Sequence, residues 1–246
     1  LHDALPISNK AWAAMAEPTA SALNAIAGTR LTLNQHRGID NYLDVAMFQG
    51  RVDEDTIETM WSVIRKEIAL PRRYLRLKAK LLGMDKLGFQ DLGAPLPFGE
   101  KKRVPWKDGS NWVVDAFAKS YPKLGDYARH MIANHHIETE LRAGKRPGGF
   151  CTSSWKINQS RVFMNYGGTL NDLRTLAHEI GHAFHSHVMG DLRPFRRSYP
   201  MTLAETASTF AEDIFRREMN EHYKDQPEVL VNLLNSGFED MAAYLL

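Results

Sequence analysis

Apolar residues recur at three- and four-residue intervals along most of this chain, the spacing that lines one face of a helix. Asp53 to Leu70 opens with acidic residues and sets Ile57, Met60, Trp61, Ile64 and Ile68 in that register, with Pro71 next. Arg72 to Leu82 carries Tyr74, Leu75, Leu77, Leu81 and Leu82 and stops at Gly83. The texture then changes. Gly88, Gly93, Pro95, Pro97, Gly99, Pro105 and Gly109 punctuate residues 88–110, which read as a long irregular connection. Helical spacing resumes over Trp112–Ser120 and Lys123–Ile137. Two short runs, 148–152 and 161–166, read as strands instead and flank the polar stretch Ser153–Ser160, which predicts a hairpin. Gly167 and Gly168 break the second strand, and Thr169 with Asp172 supplies a capping-box helix start. That helix is expected over Leu170–Met189, ending at Gly190. A loop over Asp191–Pro200 leads to a helix over Thr202–His222, and a last helix follows Pro227. The expected class is mainly α with a small β-hairpin or sheet.

Composition narrows the functional classes. The 246 residues are 43% hydrophobic and 24% charged, with a mean hydropathy of −0.38, which is too apolar for a disordered chain. No apolar run approaches the roughly 18 residues a membrane span needs. The 31 basic and 29 acidic residues leave a net charge of +2, so neither nucleic acid nor a membrane surface is an expected partner. A single cysteine, Cys151, excludes an internal disulfide and fits a reducing compartment, so the cytoplasm is the expected location. The chain opens on Leu1 and closes on an apolar stretch, Met241 to Leu246, without a helix stop, and reads as a piece of something longer.

The candidate chemistry lies in Thr175-Leu-Ala-His178-Glu179-Ile-Gly-His182-Ala-Phe-His185. Two histidines four apart sit about 40° apart on a helix, one turn above the other. Imidazoles so placed can share one zinc ion. Glu179, directly after the first histidine, falls beside the metal and can take a proton from a water the metal has acidified. Gly181 leaves room for a neighbouring backbone. The bland alternative is a helix with two ordinary histidines. A catalytic zinc needs a third protein ligand. A continuation His-x-x-Gly-x-x-His fails, because those positions hold His185 and Val188. Acids further on are Asp191, Glu205, Glu212, Asp213, Glu218 and Glu221. Glu205 leads, because it sits in a small, apolar stretch suited to packing on the zinc helix, and Glu212 is next. Glu205, Ser208 or Thr209, and Glu212 share one helical face. Glu205 could instead close a capping box with Thr202.

Other candidates are weaker. The strand Arg161–Tyr166 could offer an edge to an extended peptide, or simply pack under the zinc helix. His185 suits a supporting or packing role, and His130, His135, His136, His187 and His222 read as solvent-facing or satisfied. Cys151 in an apolar strand is expected to be inert. Arg193, Arg196 and Arg197 could hold a peptide carboxylate but read better as a solvated loop.

Several separated segments together resemble a known family. They are Phe150-Cys-Thr152, Phe163 to Asp172, Thr175 to Ser186 and Tyr199 to Glu212, with Leu77 to Lys86 and Asp91 to Leu96 upstream. They are similar to the oligoendopeptidase F branch of the thimet-oligopeptidase-like zinc peptidases, over roughly residues 70 to 246. The resemblance implies a zincin-like, mainly helical catalytic domain around a deep channel, here incomplete at both ends. Residues 1–110 would lead into the channel and 111–246 would form the zinc-binding core. It implies His178, His182 and Glu205 as Zn2+ ligands, Glu179 as general base, and short unstructured peptides as substrates inside cells. The family's His- and Tyr-bearing helices that steady the tetrahedral intermediate fall beyond Leu246, and its amino-terminal lobe has no counterpart here. Tyr166, Tyr199, Tyr244 and His185 could assist, but none matches those positions. The alternative expectation is a non-catalytic or fragmentary helical peptide-binding module that retains the zinc site.

Overall fold

A computed structural model describes residues 10–98 and 103–245 and divides after Glu54 into two compact units. Gly99, Leu1 and Leu246 lie outside the described residues, as does the side chain of Tyr244. In the first unit, helix α1 (Ala16–His36) leaves Leu23, Ile26 and Leu31 exposed, and α2 (Asp44–Gly50) ends where Arg51 turns left-handed at φ 53°.

The second unit holds all but the first residue of α3 (Glu54–Glu67), followed by α4 (Ala69–Leu81). The break between them falls before Pro71 rather than at it. Pro71 is the third residue of α4, in the first turn, where its missing N–H costs no helical hydrogen bond. A 3-10 turn at Phe89–Asp91 interrupts the irregular connection. Helix α5 (Trp106–Ser120) starts six residues earlier than the sequence pattern predicts, directly after Pro105. Gly109 therefore lies inside a helix, and packing explains it. A Cβ there would stand 2.5 Å from Tyr166 Oη and 2.6 Å from Leu173 Cδ2.

Helix α6 (Pro122–Ala133) stops short of Ile137 because His135 takes a left-handed φ of 54°. Ile137 and Glu138 then form β1, a strand the sequence pattern does not announce. The hairpin strands are β2 (Gly149–Ser154) and β3 (Gln159–Met164), longer at the turn than expected. Ser153 pairs with Ser160 across the ladder, their hydroxyls 2.8 Å apart. The sheet order is β1-β3-β2, parallel then antiparallel, so β3 is the central strand.

Helix α7 (Leu170–Val188) begins with the expected capping box. Thr169 Oγ1 accepts from the Asp172 amide at 3.1 Å, and Asp172 Oδ2 accepts from the amides of Thr169 and Gly167. Such a cap stabilises a helix by about 1 kcal/mol. A 3-10 turn (Pro194–Arg197) and the one-turn α8 (Met201–Ala204) precede α9 (Thr206–His222) and α10 (Pro227–Leu245). The helix expected from Thr202 is thus two pieces hinged at Glu205. The core gathers Val113 and Phe117 of α5, Met131 of α6, Met164 of β3, Leu173, Leu176 and Ile180 of α7, and Ala211 and Phe215 of α9. Burying each large apolar side chain contributes roughly 1.5–3 kcal/mol, so α7 is clamped along one face by helices and sheet.

Candidate metal centre

The buried stripe Leu173, Leu176, Ala177, Ile180 and Ala183 fixes the rotation of α7 and turns His178 and His182 toward a cleft. Gly181 sets how closely α9 approaches. A Cβ there would meet Ala207 O at 2.7 Å, Ser208 Cα at 2.8 Å and Ala211 Cβ at 2.9 Å. With only a hydrogen at that position, the start of α9 lies against α7 and brings Glu205 to the histidines.

Three atoms then converge. His178 Nε2 and His182 Nε2 are 3.0 Å apart, and Glu205 Oε2 lies 3.3 Å from the first and 3.2 Å from the second. A tetrahedral ion with ligand bonds of about 2.0–2.1 Å has ligand–ligand edges of about 3.3 Å, so this triangle has the size of one face of such a site. Among the described residues these three form the group of His, Cys, Asp and Glu side chains able to hold one ion.

Supporting contacts set the donors. His178 Nδ1 lies 2.5 Å from Glu212 Oε1 and donates to it, which leaves the Nε2 lone pair of the neutral ring free for a metal. Glu212 is therefore behind His178 rather than in the triangle. Ser208, fully buried, donates its one proton to Glu205 Oε2 at 2.7 Å, with Glu205 O the alternative acceptor at 3.0 Å. Glu205 is the residue at the α8–α9 junction with its carboxylate turned to the histidines, and Thr202 lies within α8, whose N-cap is Pro200. Burial disfavours a proton on His178, but the Glu212 hydrogen bond and charge, with Glu179 and Glu205, outweigh it and raise its pKa. The His182 pKa is pushed down by burial and then by His178. Two imidazole lone pairs and a carboxylate facing one point require a positive centre, which a proton or a cation supplies.

Glu179 is 5% exposed, and its Oε2 has no hydrogen-bond partner among the described residues. Burial raises its pKa to about 7; His178 lowers it, and the charges of Glu205 and Glu212 add to the rise. A buried carboxylate with an unmet oxygen is an acceptor in search of a proton. Strand β2 passes directly over it. A Cβ on Gly149 would stand 3.1 Å from Glu179 Oε1 and 3.0 Å from Thr175 Cγ2. The cleft, about 400 Å³, is bounded by Gly149, Phe150, Cys151 and Ser153 on the strand side and by Ser186, Tyr199 and Glu205 opposite. A smaller apolar groove of about 240 Å³ between α4 and α10 shares no residue with it and holds no set of metal donors.

The remaining sequence candidates lie elsewhere. Asp213 pairs with Arg216 and Arg217, Glu218 with Lys119, and Glu221 with Lys224. Asp191 is exposed in the turn after α7. Cys151 has its pKa pushed up to about 12 by burial and then by Glu179, which keeps the thiol protonated and unfit as a nucleophile. His185 lies tilted against Tyr199 with ring centroids 4.6 Å apart, His187 stacks on Tyr127 at 4.5 Å, and His136 bonds Gln159 at 2.7 Å. Arg197 ties the loop to Gly190 O and Leu192 O. β3 is paired on both sides, so among the described residues the sheet edges belong to β1 and β2, and β2 is the one that borders the cleft. Gly149 and Arg174 escape a reading of the sequence. Arg174, one turn before His178 on α7, carries the only spacing signal of the two.

Fold and site together define a mainly helical domain with a small three-stranded sheet and a His-His-Glu group able to hold one ion. The model of Peptidase family M3 matches residues 102–244, more than half of the chain, and the chain belongs to that family. It is 30% identical to the oligoendopeptidase F homolog of Lactococcus lactis subsp. lactis (strain IL1403) over 198 residues, 79% of this chain and 32% of that protein. It is 24% identical to oligopeptidase PepF of Bacillus subtilis (strain 168), again over 79% of this chain and 29% of that protein. The chain thus spans about a third of the length of these curated relatives. Among solved structures, a candidate peptidase from Chlamydophila abortus superposes with a TM-score of 0.76 at 22% identity, over 90% of this chain and 37% of that one. That likeness is one of fold.

Proposed function

We propose that this protein is a zinc-dependent metalloendopeptidase that hydrolyses short, unstructured peptides, with His178, His182 and Glu205 as zinc ligands and Glu179 as general base. The observation that carries the reading is a buried carboxylate with an unmet oxygen beside a His-His-Glu triangle of tetrahedral size. Two imidazole nitrogens and one carboxylate oxygen suit zinc, a borderline-soft ion without a geometric preference of its own, and leave one position open. Bound there, zinc would supply a Lewis acid that polarises a carbonyl and acidifies a water.

The protein's own residues do the rest. Glu179 takes the proton of the attacking water and passes it to the leaving amine, a role suited to a carboxyl held near neutrality by burial. An extended peptide would lie along the unpaired edge of β2, whose backbone N–H and C=O groups fix its register past Glu179. A cleft of about 400 Å³ accepts a few extended residues and not a folded domain. Cytoplasmic residence is part of the same reading: no helix of the described residues is long and apolar enough to cross a membrane, and the lone thiol suits a reducing compartment.

Glu179→Gln tests it. The variant should keep about one zinc per chain and lose hydrolysis by roughly 100- to 10,000-fold. Hydrolysis by the variant at the parental rate refutes Glu179 as base. Stoichiometric peptide binding with no chelator-sensitive cleavage by the parent would favour the non-catalytic module.

A further inference from the structure

Glu212 accepts from His178 with one oxygen, and its other oxygen, Oε2, lies 3.1 Å from Arg174 Nε. The same guanidinium reaches the last helix: Arg174 Nη1 donates to Ser236 Oγ at 2.6 Å and Asp240 Oδ2 at 2.9 Å, and Nη2 to Asp240 Oδ1 at 3.4 Å. One planar cation thus grips two carboxylates from two different helices, α9 and α10. Its own helix is α7, which carries the histidine at the end of the chain of contacts. Helix α10 is in turn pinned to α4, where buried Lys78 pairs with Glu239 and donates to Leu92 O, and Tyr74 donates to Asn235 Oδ1.

We infer that Arg174 is a positioning residue for the metal centre. It does not reach the cleft; it fixes the orientation of Glu212, and Glu212 fixes which nitrogen of His178 faces the ion. The physical ground is the rigid, planar guanidinium: its Nη atoms are held by Ser236 and forked onto Asp240, which fixes where Nε presents its charge to Glu212 in a way the flexible point charge of a lysine does not. Without that fixed charge, Glu212 is free to turn on its side-chain torsions toward water, since it is 20% exposed, and the ring of His178 loses its tether at Nδ1. Seating of α10 is thereby linked to metal affinity through Asp240 and Ser236. The inference rests on the zinc reading above.

Zinc affinity of the full 246-residue chain, measured by competition with a chromophoric chelator, tests it. Arg174→Met and Glu212→Gln should each weaken zinc by about 10- to 100-fold, the usual cost of losing an outer partner of a ligating histidine. The double variant should be no weaker than Glu212→Gln alone, because both act through one contact. Arg174→Lys keeps the charge and loses the fork. With parental helix content by circular dichroism, it should still weaken zinc several-fold and shift the visible bands of the cobalt(II)-loaded chain. Parental zinc affinity and parental cobalt bands in Arg174→Lys, or full multiplication of the Arg174→Met and Glu212→Gln effects, overturns the inference and leaves Arg174 a clasp between helices. A parent chain that binds no zinc overturns the zinc reading itself, and this inference with it; every variant is then silent, a pattern distinct from the other two.

Discussion

Gly181→Ala sets two effects of similar size against each other, and the structure decides the sign. Alanine in a helix interior is favoured over glycine by about 1 kcal/mol, so a solvent-facing Gly181 would yield a stabilised variant. The added methyl here would stand 2.7 Å from a backbone oxygen, 2.8 Å from a backbone Cα and 2.9 Å from the Ala211 methyl, and none of these is the end of a flexible side chain. Relief requires α7 and α9 to part by about 0.7 Å, to ordinary contact near 3.5 Å. Overpacking of this kind costs about 1–3 kcal/mol, so the variant should lose about 1 kcal/mol net after the helical gain. Glu205 precedes α9 by one residue and moves with it. Its distances to the histidines, 3.2 and 3.3 Å, would lengthen toward about 3.9 Å, beyond the roughly 0.2 Å tolerance of a zinc site. Urea unfolding of the metal-free chain should show a lower midpoint with an unchanged slope. Chelator competition should show zinc weakened by about tenfold or more. A variant that gains stability and binds zinc like the parent refutes the close approach and with it the account of how Glu205 is placed.

Two further expectations follow from the same geometry. Ser208→Ala removes the buried donor to Glu205 Oε2 and should weaken zinc by about 3- to 10-fold, the worth of about 1 kcal/mol for one such hydrogen bond; an unchanged zinc Kd means the α8–α9 turn alone positions the carboxylate. For Cys151, a pKa raised to about 12 leaves a thiolate fraction of roughly 10⁻⁴ at pH 8, against about a quarter for an ordinary thiol. Alkylation of the folded, metal-free chain should therefore be slower by about three orders of magnitude and climb about tenfold per pH unit between pH 8 and 10. Labelling at the rate of a free thiol would show that β2 does not hold Cys151 against Glu179.

What the chain discloses before it folds is mostly local. The four-residue spacing of His178 and His182, the Thr169–Asp172 cap and the small-residue setting of Glu205 all act within a turn or two of helix; the cap forms, and the two histidines face one another across a turn of α7. Glu212 shows where local reading stops. Spacing makes it a rival to Glu205, and only the depth to which α9 sinks on Gly181 decides that it lies behind His178. Gly109 looks like a loop breaker until Tyr166 and Leu173, distant in sequence, are seen to press on it. Strand β1 has two residues and no alternation to announce it, since its hydrogen bonds come from β3. The hairpin is legible, but its central strand is not, because the parallel partner that takes up one side of β3 is invisible in the pattern.

The unpaired side of β2 has a cost as well as a use. A free row of backbone donors and acceptors beside a half-exposed Phe150 is a template on which another molecule's strand can grow, the ordinary route to sticky, self-associating protein. Its brevity, six residues, limits the damage. A peptide lying along that row would also shield it, so the same occupant that fills the cleft protects the protein from its own kind.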